Sequence, residues 1–406
     1  MHNKKKSEVK ISVDGVDHGM YVVRLDRPWL GTPFTVQAFK VTKQKEIDQL
    51  HEHCRHVYID TMAGGSPDPQ FVVVEKPPKI TGEIAQLHKQ DYEIKTKFED
   101  EIATATAVQE KLNHCVQHVL SEVQDDKKLS IEQLKDGVQA MIQSIVNNPS
   151  AFAWVSQLKE TDDYTYRHSL GSSIWCASFG RFLGIEQADL ERLAFGGLVI
   201  DIGKAKLPRA LLLKETPLTD NEMKIVRSHV NHSVKILANT KAVDHDIMRM
   251  VASHHERHDG SGYPLGLKGE QIPIYGRIAG LVDSYDAMVN QRVFQKGRSP
   301  HDVISELYDL RGTKFQSELV EQFIQSCGVY PTGSLVELTT AEVGVVTELN
   351  SLRRLRPVVM LLLDQHKKPY EDFKTVDLSW GTNDEIDIAQ GLPAGSFGIN
   401  MDNLFL

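Results

Sequence analysis

Cysteine is scarce in this chain: four among 406 residues, Cys54, Cys115, Cys176 and Cys327, with no C-x-x-C pair. That spacing excludes a disulfide framework or a zinc ribbon as the organising device and makes a reducing cytoplasm the expected compartment. Long apolar runs are missing too. The longest, around Val358–Leu363, is far too short to span a bilayer, and no apolar segment follows the basic Met1–Lys10, so no secretory signal is expected. Positive charge is in deficit, with 46 Lys and Arg against 55 Asp and Glu and a net charge of −9. A field of that sign repels DNA or RNA polymers, although a few local cations can still hold a small phosphorylated ligand. There is no repeat of solenoid period and no low-complexity tract.

What is present is an ordinary globular composition, 41% hydrophobic and 25% charged, with length for two or three domains. Residues 1–61 read as a small α+β module. Period-two alternation marks strands at Ile11/Val13, Met20–Leu25 and Phe34/Val36/Ala38, a helix carries Ile47, Leu50 and Cys54, and His56–Asp60 closes the module. Gly64-Gly65, Pro67, Pro69 and Pro77-Pro78 make residues 62–80 a linker. A helical connector is expected over 81–159, because Phe98, Ile102, Val108, Leu112, Val116, Val119 and Val123 recur near the helical period. Ser130 with Gln133 predicts a capping box ahead of a helix whose inner face is Ile131, Leu134, Val138, Met141 and Ile145. Thr219 with Glu222 predicts a second box, and Ser299-Pro300 opens a helix with Val303, Ile304, Leu307 and Tyr308 inward. Residues 160–328 read as a helical bundle. The tail, 329–406, reads as β-rich, with strands at Ser334–Leu338, Glu342–Val346 and Pro357–Leu363.

Seven of the seventeen histidines lie between residues 168 and 258, within the predicted bundle. A metal centre in a helix bundle takes inward imidazoles and carboxylates from several helices, and the candidates are His168, Asp201, His229, His254, His255 and Asp283. Asp201 ends the apolar run Leu198–Ile200, where an unpaired carboxylate is costly to bury. His229 follows Ile225 and Val226 by four and three residues, which puts it on their apolar face, and Asp283 and Asp286 share a side one turn apart. A single inward histidine is more often a hydrogen-bonded core residue than a ligand. Six such groups on one bundle are explained together by one metal centre and separately by nothing. A second set, His51, His53, Cys54 and His56 with His114, Cys115 and His118, matches no zinc spacing and reads as solvated helix faces.

These blocks carry a resemblance. The segment Tyr164–Ser169, then Asp201-Ile-Gly-Lys204, His229, His254-His255-Glu-Arg, Asp259-Gly-Ser-Gly262-Tyr263-Pro264 and Asp283 resembles the HD-GYP phosphodiesterases in residue type, order and spacing over 160–328. The front module, with Gly19-Met-Tyr-Val and Asp26-Arg-Pro-Trp-Leu, looks like the small uncharacterised domain that often precedes them. The resemblance implies a mainly α fold, an HD-type helical bundle with the α+β front domain and a β-rich tail. It also implies hydrolysis of a cyclic dinucleotide, usually cyclic di-GMP, by one or two iron or manganese ions, in a signalling role that leaves partner proteins and a homodimer open. In that picture Asp201 bridges the metals, His168 and Asp283 complete one site, and His229, His254 and His255 complete the other. Lys204 and Arg292 hold phosphate oxygens, Asp286 orients the ligand, and Gly262, Tyr263 and Pro264 shape the rim.

The sequence departs from the family where the family takes its name. The His-Asp pair is Ile200-Asp201 here, and a hydrocarbon cannot coordinate, so the site of His168 and Asp283 keeps three protein ligands. Tyr164 replaces a Glu that serves a third metal in some members, which argues against a trinuclear centre, and Gln295 stands where a cation commonly assists phosphate binding. Two functions follow: a phosphodiesterase slowed at its metal site, or a module that binds a cyclic dinucleotide or a partner without turnover. A ligand-free scaffold leaves the clustered histidines unexplained.

Overall fold

The computed structural model describes residues 8–27, 29, 32–34, 38–60, 63–65, 67, 71, 83–157, 164–240, 243–290, 298–350, 356–379 and 386–399. These fall into two compact units, one up to residue 71 and one from Glu83 onward, the second holding both the helical bundle and the tail.

In the first unit β1 (Glu8–Ser12), β2 (Tyr21–Leu25), β3 (Phe39–Lys40) and β4 (His56–Asp60) form an antiparallel sheet in the order β1-β4-β2-β3, with α1 (Gln44–His53) leading into β4. Ile11, Val22, Leu50, Val57 and Ile59 are fully buried in its core, as period-two strands and one helix face require. The strand expected at Phe34/Val36/Ala38 is displaced. Ala38 takes a φ of 89°, a left-handed conformation that interrupts an extended run, and pairing with β2 is made by Phe39 and Lys40 instead. Val36 and most of the expected linker lie outside the described residues.

The second unit begins with α2 (Glu83–Leu87), α3 (Phe98–Gln124), α4 (Ile131–Asn147) and α5 (Pro149–Gln157). Phe98, Leu112, Val116, Val119 and Val123 of α3 are buried at the spacing read from the sequence. Ser130 does not form the expected capping box. Its hydroxyl and its backbone N–H both donate to Glu122 of α3, at 2.6 and 2.7 Å, so a carboxylate from the preceding helix takes the group that a box would use. The bundle continues with α6 (Tyr164–Phe182), α7 (Gln187–Val199), α8 (Arg209–Leu212), α9 (Asp220–Arg227), α10 (His229–Ala238), α11 (His245–Ser253), α12 (Ile274–Val289), α13 (Pro300–Asp309) and α14 (Ser317–Cys327). Here the local signals hold: Glu222 N–H donates to Thr219 Oγ1 at 3.4 Å and Thr219 N–H to Glu222 Oε2 at 2.8 Å, while Asp302 N–H donates to Ser299 Oγ at 3.2 Å. α6 packs along α7, and α12 packs on both α6 and α11, which brings four helices to one centre.

The tail adds an antiparallel sheet of β5 (Leu335–Leu338), β6 (Val343–Glu348), β7 (Val358–Leu363), β8 (Pro369–Asp377) and β9 (Ile388–Leu392), in the order β8-β7-β6-β5-β9. Its inner residues alternate: Leu335, Val343, Val345, Met360 and Leu362 join the helical core, whereas Val336, Leu338, Val346, Val359 and Leu361 build a second small core on the other face. Among the described residues no helix is long and apolar enough to cross a membrane.

Candidate metal centre

Five chain segments converge on a buried knot of imidazoles and carboxylates. His168 projects from α6 between two carboxylates of α12, with Nδ1 2.7 Å from Asp286 Oδ2 and Nε2 2.8 Å from Asp283 Oδ1. The approach requires glycine at 171, where a Cβ would lie 2.1 Å from Asp286 Oδ1. Asp201 sits just past the end of α7, ahead of a 3-10 turn at Ile202–Lys206, and is wholly buried. Gly203 in that turn lets α10 close in, since a Cβ there would meet the His229 carbonyl oxygen at 2.1 Å. Ser233 fixes the approach by donating to Ile200 O at 3.1 Å and accepting from Gly203 N–H at 2.9 Å.

The two oxygens of Asp201 face different partners. Oδ1 is 3.0 Å from His229 Nε2 and 3.8 Å from His254 Nε2, while Oδ2 is 3.4 Å from His168 Nε2 and also meets the Lys204 ammonium. His255 closes the ring, with Nε2 3.1 Å from His229 Nε2 and Nδ1 3.8 Å from Asp283 Oδ2. Two sets of donor atoms result, each set lying within 4.8 Å of one another: Asp201, His229, His254 and His255, and His168, Asp201 and Asp283. Among the described residues no other such set exists, and His51, His53, Cys54, His56, His114, Cys115 and His118 belong to neither.

Tautomers decide what this knot can hold. His229 Nδ1 donates to Val226 O at 2.7 Å and His254 Nδ1 to Val251 O at 2.8 Å, which leaves each Nε2, turned inward, as the ring atom available to a metal. His254 Nε2 and Asp201 Oδ1 are buried and meet no hydrogen-bond donor. A His229 lone pair facing a carboxylate at 3.0 Å is repelled unless a cation or a proton lies between them. Burial opposes ionisation of Asp201, yet the Lys204 ammonium holds its carboxyl well below the usual carboxylate range. At Asp283 burial is likewise overcome, by the hydrogen bond from His168, whereas burial pushes Asp286 up. Burial and then the neighbouring His254 push the His255 imidazole well down, leaving it a neutral donor. Anionic carboxylates and neutral imidazoles with unshared pairs are the donor set that a divalent ion takes.

The comparisons with known proteins agree. A family model for an HD domain matches residues 140–319 and so contains the whole knot. A cyclic di-GMP phosphodiesterase of Pseudomonas aeruginosa is 28% identical over 372 residues, 91% of this chain and 88% of the relative. The segment that carries the knot thus matches an HD domain, and the chain is similar to cyclic di-GMP phosphodiesterases. Further models match a domain of unknown function at residues 8–134 and a KOW domain associated with HD domains at 335–387. A cyclic di-GMP phosphodiesterase of Thermotoga maritima is 33% identical over 40% of this chain, and a 3'3'-cGAMP-specific phosphodiesterase of Vibrio cholerae is 30% identical over 40%. The chain spans less than half the length of those two, 45% and 31% respectively.

The six metal candidates read from the sequence stand together, and Ile200, the residue before Asp201, is fully buried and part of the apolar core. The reason given for His229 needs correction. Ile225 is 44% exposed, and a break at Ser228 makes His229 the first residue of α10, where Ser233 and Leu237 share its buried face. Asp286 meets His168 and is buried, so it faces a ring and not the rim. Arg292 and Gln295 lie outside the described residues, as does the Tyr164 side chain.

The Gly262-Tyr263-Pro264 turn covers the His pair, with the Tyr263 ring stacked on His255 at 4.6 Å. Sequence reasoning missed what holds it. Glu256 accepts from Leu265 N–H at 2.7 Å and Leu267 N–H at 3.0 Å, and Lys314 donates to Asp259 at 3.1 Å and Ser261 at 2.7 Å. Glu256→Ala is expected to destabilise the unit by about 1–3 kcal/mol through two unmet amides. Hydrogen exchange checks this, with the Leu265 and Leu267 amides losing protection before the rest of the bundle.

Proposed function

We propose that the chain is a metal-dependent cyclic dinucleotide phosphodiesterase, with cyclic di-GMP the first substrate to try, and that turnover is slow because Ile200 stands where the family carries histidine. The carrying observation is Asp201, whose two oxygens are directed at two different donor sets. Residues 160–328 would form the catalytic domain, preceded by the 1–61 module, the 62–80 linker and the 81–159 connector, and followed by the 329–406 tail.

In this reading His229, His254, His255 and Asp201 hold one ion, and His168, Asp283 and Asp201 hold the other, iron or manganese in each case. When bound, such a pair supplies an activated water and neutralises charge on the attacked phosphate. Asp286 fixes the His168 ring through Nδ1, so that Nε2 faces the metal site. Lys204 trades its contact with Asp201 for a phosphate oxygen, which the ammonium reaches because its side chain is partly exposed. Arg292 is assigned to phosphate by resemblance. The Tyr263 ring keeps water from one face of His255.

The test is anaerobic incubation of the metal-loaded chain with cyclic di-GMP, followed by chromatography. Linear dinucleotide or GMP accumulating with iron or manganese, and not with chelator, is the expected result. The second reading, a binding module without turnover, is favoured by the three-donor set beside Ile200; it predicts cyclic di-GMP binding with no product, and that outcome would overturn the first.

A further inference from the structure

The rim of the metal centre carries a cation that neither the family blocks nor the metal chemistry uses. Arg227, the last residue of α9, is exposed, and its guanidinium lies 4.9 Å from the centre of the Tyr263 ring. Tyr263 in turn stacks at 4.6 Å on His255, one of the metal-binding candidates. The order from solvent inward is therefore guanidinium, phenol, imidazole, donor set.

The neighbouring cations are committed elsewhere. Arg257 donates to His254 O at 3.0 Å, Glu256 O at 2.9 Å and Ser284 Oγ at 3.2 Å, and Lys314 is held by Asp259 and Ser261. Among the described residues the Arg227 side chain has no carboxylate partner and no hydrogen bond; it lies on an aromatic face. A guanidinium laid on a ring keeps its in-plane N–H donors pointing away from the ring, in the fork that matches two phosphate oxygens.

A cyclic dinucleotide brings two phosphodiester anions into a site whose carboxylates are already negative. The metal centre, with Lys204 and Arg292, is assigned above to the phosphate being cleaved. The other phosphate needs its own cation. We infer that Arg227 binds that second, uncleaved phosphate, with Tyr263 as the platform holding the guanidinium in place. This rests on the cyclic dinucleotide reading above. It assigns substrate binding to α9, a helix with no buried residue and thus no evident packing role for its terminal arginine.

Calorimetric titration of the full, manganese-loaded chain with cyclic di-GMP separates the two claims. If the natural chain binds no cyclic di-GMP, the functional reading falls and takes this inference with it. If it binds, Arg227→Ala is expected to weaken affinity about 10- to 100-fold, the size of a lost charge-assisted pair, with metal content unchanged. Arg227→Met keeps a long side chain against Tyr263 without charge and should bind as weakly as Arg227→Ala. Arg227→Lys should recover part of the loss, since charge returns without the fork. Natural affinity in Arg227→Ala, or in Arg227→Met alone, would overturn the inference, the latter by showing that packing on Tyr263 is what matters.

Discussion

Asp201→Asn is expected to release metal from both donor sets at once and to abolish hydrolysis. Asparagine keeps the volume of a wholly buried side chain, so the bundle should fold, but one amide oxygen replaces two anionic ones. Loss of an outer partner of a metal ligand already costs about 10- to 100-fold in affinity, and Asp201 is a direct candidate ligand in both sets, so each site should weaken by more than about 100-fold. Lys204, its side chain 16% exposed, can turn to solvent when its partner loses charge. Metal analysis after desalting, with circular dichroism as the folding control, checks the prediction. Retention of a full metal complement would show that Asp201 is not shared.

The second large effect runs the other way. Ile200→His is expected to raise metal occupancy at the set of His168, Asp201 and Asp283, and to raise cyclic di-GMP turnover by about tenfold or more, the reverse of the loss expected from a missing ligand. It should also lower stability in the metal-free state. Ile200 is fully exposed to apolar neighbours and not at all to water, and an imidazole without a partner there costs about 1–3 kcal/mol. That corresponds to roughly 2–4 °C in Tm per kcal/mol for a domain of this size. The signature is a variant that melts lower without metal and regains the difference with it. A variant gaining neither metal nor activity would show that the missing histidine does not limit this centre.

Local chemistry in the sequence went far towards the fold. Periodic apolar residues marked α3 and α4, and Thr219 and Ser299 marked the starts of α9 and α13, because the atoms involved are within a turn of each other. Ser130 misled because its partner, Glu122, belongs to another helix and competes at long range. β8 is not marked in the sequence: it is a largely exposed edge strand paired to β7, and only Tyr370 and Val376 pack against the small core, too far apart to show a period of two. At the site, residue type and clustering brought out the six metal candidates, and the family resemblance arranged them into two sets. Glu256 escaped notice since its partners are backbone amides nine and eleven residues later, which leave no trace in residue type. Arg227 escaped because its neighbour Tyr263 lies on a different segment.

The bonds from His229 Nδ1 to Val226 O and from His254 Nδ1 to Val251 O span only three residues, so each ring is held by the turn of backbone immediately before it. Rotational freedom of both side chains is thus surrendered when the helices form, before any ion arrives. An ordered side chain otherwise costs about 0.5–1.5 kcal/mol at the moment of binding. For these two rings that entropy is charged to folding, and affinity at the four-donor set is correspondingly less dependent on what happens at the set beside Ile200.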